Sequence, residues 1–413
     1  MRPSVLGRVP PTAARVPLAN GVAFVVLLGA LTTLPPLSID VSLPGLPAIA
    51  RALGASSGAM QQSLAVFVFA FGAGQLVVGP LSDRYGRRPV LLAGLAVFTL
   101  AGLACTFANG AATLLVARFV QGLGACAGTL SARAIVQDVS PDRERAASLQ
   151  AYVSAVTSVA PIVAPLLGAV ILATLGWRSL YGVLAVAGVL LIVAVYVRLP
   201  ETAPGTAERG LSAYARVLRR PRTVPLAAVV AFGFGAYFTL ISGSPFALVA
   251  QMHVASGPYA IAFALNACAL LAGAFATGRL VQRIGAERLF AYGIALLLAA
   301  GAVTCAVDVL APSPIAFTAA FMLFAFAFGI ANPSAYAAGL AGAGADAGKT
   351  SAILGSTQMI GGAVASAVAA ALPFPPSAGV GITVLAAALV SAGAYVLSRR
   401  AGGISSAAGI ASR

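Results

Sequence analysis

Twelve long apolar stretches restrict this chain to one class of fold. Each stretch holds about 20 residues, the length that an α-helix needs to cross the hydrocarbon core of a bilayer. Of the 413 residues, 60% are hydrophobic and 8% are charged, and the mean hydropathy is +0.97. A soluble domain with an aqueous surface does not tolerate such a composition. We therefore predict an all-α membrane protein with transmembrane helices near 20–39, 59–79, 90–108, 112–132, 147–173, 178–197, 224–249, 258–281, 289–308, 314–336, 350–372 and 378–398.

The longest hydrophilic segment, at 198–223, divides these spans into two groups of six. Its proline, glycine and charged residues predict a linker, and the stretch AYARVLRR within it is typical of a short amphipathic helix. The final GGISSAAGIASR is of low complexity and predicts a disordered tail. The predicted organisation is an N-terminal tail (1–19), a six-helix bundle (20–197), the linker (198–223), a second six-helix bundle (224–398) and a C-terminal tail (399–413).

The basic residues alternate from loop to loop. If the N-terminus and every second loop lie in the cytoplasm, 22 of the 25 basic residues fall on that side, and only Arg51 and Arg178 fall on the other. Such an excess marks the cytoplasmic side of a membrane protein, so we predict that both termini and the linker are cytoplasmic. Topology thus accounts for the net charge of +15, and no nucleic-acid partner is expected.

One charged block occurs twice, at the same place in each half. GPLSDRYGRR begins at Gly79, between the second and third spans, and GRLVQRIGAER begins at Gly278, between the eighth and ninth. Gly, Leu, Arg and Gly recur in it 199 residues apart. Together with the six-plus-six division, this repeat predicts two pseudo-symmetric six-helix bundles, an arrangement that transporters use to move around a central site.

The first block resembles the signature loop of the major facilitator superfamily, G-x-L-x-D-R-x-G-R-[KR]. A second motif of that superfamily, L-x-x-x-R-x-x-Q-G, is matched in the fourth span by Leu114, Arg118, Gln121 and Gly122. The resemblance extends over essentially the whole chain and implies the twelve-helix fold of these transporters. It also assigns a gating role to the residues of the first block, Gly79, Asp83, Arg84, Gly86, Arg87 and Arg88.

Within the superfamily, DVSLPGLP at 40–47 and FALN at 263–266 resemble the Bcr/CflA branch of drug and proton antiporters. In the fifth span APIVAPLLGA resembles the antiporter motif G-x-x-x-G-P-x-x-G-G. Pro165 and Gly168 match it, whereas Ala160, Ala164 and Ala169 stand where the motif has glycine. The resemblance implies proton-coupled efflux of small amphipathic or neutral drug-like compounds by alternating access.

Asp83 is the one acid of the signature block. We predict that it faces the positive N-terminal end of the eleventh span, near Thr350 and Ser351, when the cytoplasmic side is closed, and so acts as a latch. In the second copy Gln282 replaces the acid, so the latch would be asymmetric. The alternative is that the block only anchors the topology through its positive charge.

Two charges are expected deep in the membrane, where ionisable groups are costly and usually functional. Asp40, at the end of the first span, is the candidate proton carrier, and its alternative is an exposed helix cap. Arg118 is a fixed positive charge that could steady the charged form of Asp40, bind an anionic group, or only join helices. The resemblance to the superfamily implies that Arg118 takes part in proton coupling with Asp40, and a purely structural role is the alternative. Relatives that handle cationic drugs often carry a further acid where this chain has Thr32. The lack of an acid there disfavours organic cations and favours neutral or zwitterionic substrates.

Polar and aromatic residues within the spans are candidates for a substrate cavity, because a largely apolar pocket with few polar anchors suits varied hydrophobic compounds. A facilitator or symporter for a small metabolite on the same fold is the alternative function. A membrane enzyme is disfavoured, since the ten acids are mostly scattered in loops. The substrate-binding candidates are Thr32, Gln61, Tyr152, Tyr237, Phe246, Asn266, Asn332 and Gln358.

The expected partners are a drug-like small molecule, protons and the lipid bilayer. Abundant alanine and arginine with a single lysine suggest a GC-rich bacterial genome, hence an inner membrane. We expect no cofactor and no metal, because the single histidine, His253, has no cluster of cysteines or acids near it in the sequence. A monomer would suffice, because the fold needs no partner to form a pathway.

Overall fold

The structure is a computed structural model that describes residues 21–202, 211–310, 312–341 and 343–411, and the predicted N-terminal tail lies outside them. The described residues form fourteen α-helices, joined in places by short 3₁₀ turns and by a π-helix at Pro245–Gln251. These are α1 (Val22–Asp40), α2 (Leu46–Ala52), α3 (Ser57–Tyr85), α4 (Arg87–Thr106), α5 (Ala111–Val139), α6 (Arg143–Leu175), α7 (Arg178–Arg198), α8 (Leu211–Leu218), α9 (Thr223–Ser244), α10 (Ser256–Ile284), α11 (Ala286–Leu310), α12 (Pro314–Leu340), α13 (Ala347–Ala371) and α14 (Pro376–Ala411).

All twelve predicted spans are found as helices long and apolar enough to cross a membrane. The first consists of α1 and α2 together, and the seventh consists of α9 with the π-helix that follows it. Helix α8 confirms the amphipathic helix predicted in the linker, and its Val217 is buried. The prediction of a disordered C-terminal tail is wrong as far as Ala411, because α14 continues to that residue.

The signature block is mostly helical rather than a loop. Its SDRY stretch is the last turn of α3, and a single residue, Gly86, separates α3 from α4. Gly86 has a φ of 100°, and Gly285, which separates α10 from α11, has a φ of 82°. Both values lie where only glycine is free of steric cost. Helices α3 and α10 also begin and end 199 residues apart, so the repeat seen in the sequence is a repeat of structure.

The two halves, α1–α7 and α9–α14, meet along two helix pairs. Helix α13 packs along α3, and α10 packs along α6. We call the side of the membrane that holds the linker the linker face, and the opposite side the distal face. At the distal face the turn Leu43–Gly45, which follows α1, contacts α10 and the π-helix, and α2 also contacts the π-helix. The halves are therefore joined at the distal face by the ends of the first and seventh spans.

Three glycines on one face of α3 show where the two halves separate. Residues 58, 72 and 79 differ by multiples of seven, so they point in nearly the same direction. A Cβ atom on Gly58 would lie 2.7 Å from the carbonyl oxygen of Ala370, and one on Gly72 would lie 2.7 Å from the Cβ of Met359. On Gly79 it would have no described atom within 4 Å. The α3–α13 pair is thus tight from the distal face to the middle and open toward the linker face.

Candidate functional site

Asp40 is the last residue of α1, and it is buried with 5% of its surface exposed. The turn Leu43–Gly45 that follows it is also buried and covers it on the distal side. Prolines at 44 and 47 break the helix here, because each removes a backbone donor. The alternative reading of Asp40 as an exposed helix cap is therefore wrong.

The phenols closest in charge interaction to Asp40 belong to the other half of the molecule. Its carboxyl interacts electrostatically with the phenols of Tyr237 on α9 and Tyr259 on α10. It forms no hydrogen bond or ion pair with any residue that the structure describes. The phenol of Tyr237 accepts a hydrogen bond from Asn266 Nδ2 at 3.3 Å, and that of Tyr259 shares one with Ser244 Oγ at 3.0 Å. Asp40 therefore sits at the boundary between the halves, opposite two buried phenols.

Aromatic rings surround this boundary on the side of the second half. Tyr237 stacks on Phe328 with 4.9 Å between ring centroids, and Phe321 lies 6.1 Å from Tyr237. Asn266 is fully buried, and its Oδ1 has no hydrogen-bond partner among the described residues. An apolar wall that holds one unsatisfied amide oxygen suits a hydrophobic ligand with a single hydrogen-bond donor.

Arg118 is fully buried, but it lies within the first half and away from Asp40. Its Nη1 donates to Gln121 Oε1 at 2.8 Å, and its guanidinium lies 4.2 Å from the ring centre of Phe67 and 5.7 Å from that of Tyr181. Such cation–π contacts are strongest where water is excluded. The two polar residues of the fourth-span motif thus bind each other, and the suggested contact between Arg118 and Asp40 is absent from the described residues.

Several other substrate-binding candidates join helices in pairs or chains. Gln61 Nε2 donates to Ser242 Oγ at 3.2 Å, and Ser242 Oγ shares a hydrogen bond with Ser366 Oγ at 2.7 Å, which links α3 to α9 and α13 across the halves. Thr32 and Thr157 join α1 to α6 through their hydroxyls at 2.6 Å. These residues hold helices together in this conformation.

The remaining candidates do not form one pocket. Gln358 Oε1 accepts from the phenol of Tyr336 at 2.6 Å, and Phe246 is buried in the π-helix. Tyr152 is 62% exposed on the linker half of α6. Asn332 faces a void of about 10 Å³ inside the second half, which is room for about one water. In this conformation the eight candidates therefore do not line one cavity, and several of them join helices instead.

The antiporter-like motif of the fifth span packs directly behind Asp40. Ala160, Ala164, Pro165 and Gly168 are all buried on α6. A Cβ atom on Gly168 would lie 2.2 Å from the carbonyl oxygen of Val41, the residue after Asp40. The motif glycine thus allows α6 to touch the backbone at the end of α1.

The predicted contact between Asp83 and the start of the eleventh span is not formed. Asp83 instead pairs with Arg87, whose Nε also lies 3.0 Å from Asp138 Oδ2 on α5. At the start of α13 the carboxylate is Asp346, which pairs with Arg220 at 2.5 Å. Since the latch is expected only with a closed cytoplasmic side, its absence agrees with the separation of α3 and α13 toward the linker face.

Sequence reasoning missed three acids. Glu201 accepts hydrogen bonds from the backbone N–H groups of Arg87 at 2.8 Å and Arg88 at 3.1 Å, and so caps the start of α4. Asp138 binds Arg87, as described above. Asp308, near the distal end of α11, is 1% exposed, and neither carboxyl oxygen has a partner among the described residues. The isolated acid in the apolar run CAVDVLAP could have identified Asp308.

Comparisons with known proteins agree with this architecture. A solved bacterial homologue of the human lysosomal transporter Spinster, inward-facing and unoccupied, superimposes with a TM-score of 0.74, at 17% identity, over 92% of this chain and 96% of that one. A D-xylose-proton symporter superimposes with a TM-score of 0.70, at 16% identity, over 91% and 97%. At these identities the likeness establishes the fold alone.

The sequence relatives are more informative. An uncharacterized MFS-type transporter, YdgK, from Bacillus subtilis is 32% identical over 83% of this chain and 87% of its own length. The chloramphenicol resistance protein of Pseudomonas aeruginosa is 31% identical over 69% and 68%, and the multidrug resistance protein MdtL of Escherichia coli is 31% identical over 82% and 86%. The family model described as Major Facilitator Superfamily matches residues 26–366. The chain therefore belongs to the major facilitator superfamily, and it is a transporter with twelve membrane spans.

Proposed function

We propose that this transporter exports small amphipathic or neutral drug-like compounds in exchange for protons. It would act in a bacterial inner membrane by alternating access, with the linker face in the cytoplasm. The names of relatives support the substrate class, because two of them are a chloramphenicol resistance protein and a multidrug resistance protein. The arginine distribution supports the orientation. A monomer is sufficient, because one chain contains both halves.

The position of Asp40 is the observation that carries the proton-coupling proposal. It is a buried carboxyl without an ion-pair partner among the described residues, and it lies where the two halves meet at the closed distal face. Opening that face would move the turn Leu43–Gly45 away from α10 and the π-helix and would admit water to Asp40. A carboxyl that is wet in one state and dry in the other can take up a proton on one side of the membrane and lose it on the other.

The energy available from a proton is sufficient for export. One elementary charge that crosses 100 mV gains about 2.3 kcal/mol, and each 1.4 kcal/mol corresponds to a tenfold concentration ratio. Inward movement of one proton at that potential would therefore sustain an outward substrate gradient of a few tens-fold. The proton supplies this energy even if the substrate carries no charge. A neutral substrate is also what Thr32 favours, because relatives that handle cationic drugs often carry a further acid at that position.

The test uses the purified full chain in liposomes that contain a pH-sensitive dye. A panel of antibiotics that includes chloramphenicol is added, and substrate-triggered proton movement is compared for wild type, Asp40→Asn and Asp308→Asn. Both substitutions remove one buried acid, but Asp308 lies within the second half and away from the boundary with the first. We expect proton movement in wild type and Asp308→Asn, and its loss in Asp40→Asn.

Two results would count against the proposal. Substrate flux without proton movement in wild type would make the protein a facilitator. Normal coupling in Asp40→Asn together with its loss in Asp308→Asn would move the proton site to α11.

A further inference from the structure

A cavity of about 230 Å³ lies at the linker face of the second half, apart from the boundary described above. It is enclosed by the start of α9, the end of α12, the start of α13 and the end of α14. Its volume has room for several waters, at about 30 Å³ each, or for a phosphate group with its inner hydration. The side chains that matter for its chemistry are Arg220, Arg222, Thr223, Thr350, Leu226 and Leu354.

The cavity wall keeps a net positive charge, because only one of its two arginines is paired with an acid. Arg220 is neutralised by Asp346, with 2.5 Å between Nη2 and Oδ2. Arg222 forms no ion pair with any residue that the structure describes. The Nε of Arg222 is buried and has no hydrogen-bond partner among the described residues. A buried donor without a partner is costly, so this guanidinium is suited to an acceptor that enters the cavity from outside.

The backbone around the cavity also favours an anion. Helix α9 begins at Thr223 and α13 at Ala347, so the positive ends of two long helix dipoles lie beside Arg222. A guanidinium is planar and presents paired N–H donors that match the oxygens of phosphate. Leu226 and Leu354 supply apolar surface beside these donors, and Ala341 is exposed where α12 ends. Charged and apolar walls thus lie side by side at the level of a lipid headgroup.

We infer that this cavity binds a phosphate group, which either an anionic phospholipid of the adjacent leaflet or a free phosphate could present. Basic pockets between transmembrane helices at the cytoplasmic side commonly hold such headgroups. The bound phosphate would contact Arg222 at the end of the linker and the start of α13, and so would tie the linker to the helix that packs against α3. Occupancy is thereby expected to stabilise the second half.

The test compares phosphate sources on the purified full chain. Wild type is placed in detergent with phosphatidylcholine alone or with added phosphatidylglycerol, and retained lipid is counted by native mass spectrometry while unfolding is followed thermally. Sodium phosphate and sodium chloride at equal ionic strength are the soluble probes. The variants are Arg222→Gln, Ala341→Glu, which puts a negative charge at the exposed mouth, and the control Arg219→Gln, which removes an exposed arginine outside the cavity.

We expect phosphatidylglycerol to stay bound to wild type and to Arg219→Gln. Its affinity should fall by at least about tenfold in Arg222→Gln, the loss of one charge-assisted contact, and also in Ala341→Glu. Stabilisation by sodium phosphate alone, with the same dependence on Arg222, would identify a free phosphate as the source. Equal lipid retention in wild type, Arg222→Gln and Ala341→Glu, or an equal loss in Arg219→Gln, would overturn the inference. If Arg222→Gln does not fold, lipid retention by Ala341→Glu is compared with that of the Arg219→Gln control. A lower retention in Ala341→Glu alone supports the inference, and equal retention overturns it.

Discussion

The close approach of Gly168 to the end of α1 predicts that Gly168→Ala damages both stability and transport. The added Cβ would lie 2.2 Å from the carbonyl oxygen of Val41 and 3.0 Å from its carbonyl carbon. A close C···O contact is about 3.3–3.6 Å, so the two helices would have to move apart by roughly 1 Å. Both atoms belong to backbones, and no side chain can rotate to relieve the clash. The displaced segment carries Asp40, one residue earlier.

The magnitude follows from two opposing effects. Overpacking of a tight contact typically costs about 1–3 kcal/mol, whereas alanine in place of glycine within a helix gains up to about 1 kcal/mol. We expect a net loss of about 1–2 kcal/mol, which lowers the thermal unfolding midpoint by a few degrees. Gly182→Ala is the matched control, because its Cβ on α7 would approach only Thr106 Oγ1, at an ordinary 3.9 Å. That variant should be as stable as wild type or slightly more so.

Thermal unfolding of the purified protein measures the first effect, and proton-coupled flux in liposomes measures the second. Gly168→Ala should unfold earlier than Gly182→Ala and should couple poorly, because Asp40 is no longer held opposite Tyr237 and Tyr259. If Gly168→Ala unfolds and couples as the wild type does, α6 and α1 do not approach as closely as described. The role assigned to the fifth-span motif would then be wrong.

Four further variants test the charged groups by thermal unfolding. Asp138 and Asp83 both bind Arg87, but the Asp138 side chain is 11% exposed and that of Asp83 is 41% exposed. Asp138→Asn should therefore lower the free energy of unfolding by about 1–3 kcal/mol, and Asp83→Asn by less than about 1 kcal/mol. Equal losses in the two variants would contradict this ranking. Glu201→Gln should cost about 1 kcal/mol, since it weakens the cap on two backbone N–H groups at the start of α4, and an unchanged midpoint would show that the cap is dispensable. Asp308→Asn should not lower stability, because the carboxyl has no described partner to lose and a neutral amide costs no more to bury than a carboxylate. A clear loss of stability would reveal a partner.

The fold could be predicted from the sequence because apolar stretches of membrane-spanning length have few alternatives. The ends of the helices were harder to predict. A polar sequence such as SDRY is typical of a loop, but here it continues α3 to Tyr85. Asp308 was missed for a similar reason, because it lies at the edge of an apolar stretch. The partner of Asp83 depends on conformation, which composition does not encode. Asp83 and Arg87 are four residues apart, but Gly86 ends α3 between them, so regular helical spacing does not predict their ion pair.

The two buried charges that the sequence singled out differ in what surrounds them. Arg118 is held by Phe67, Gln121 and Tyr181, all of which belong to the first half. If the halves move as rigid bodies, these contacts stay the same throughout the cycle. The environment of Arg118 then does not depend on which face of the protein is open. Asp40 belongs to the first half, but the phenols opposite it belong to the second, and its surroundings must therefore change when the distal face opens. A group can couple proton binding to a conformational change only if its environment differs between the states. Asp40 meets that condition and Arg118 does not. We therefore propose that Asp40 carries the proton and that Arg118, for which the resemblance implies proton coupling, has a structural role.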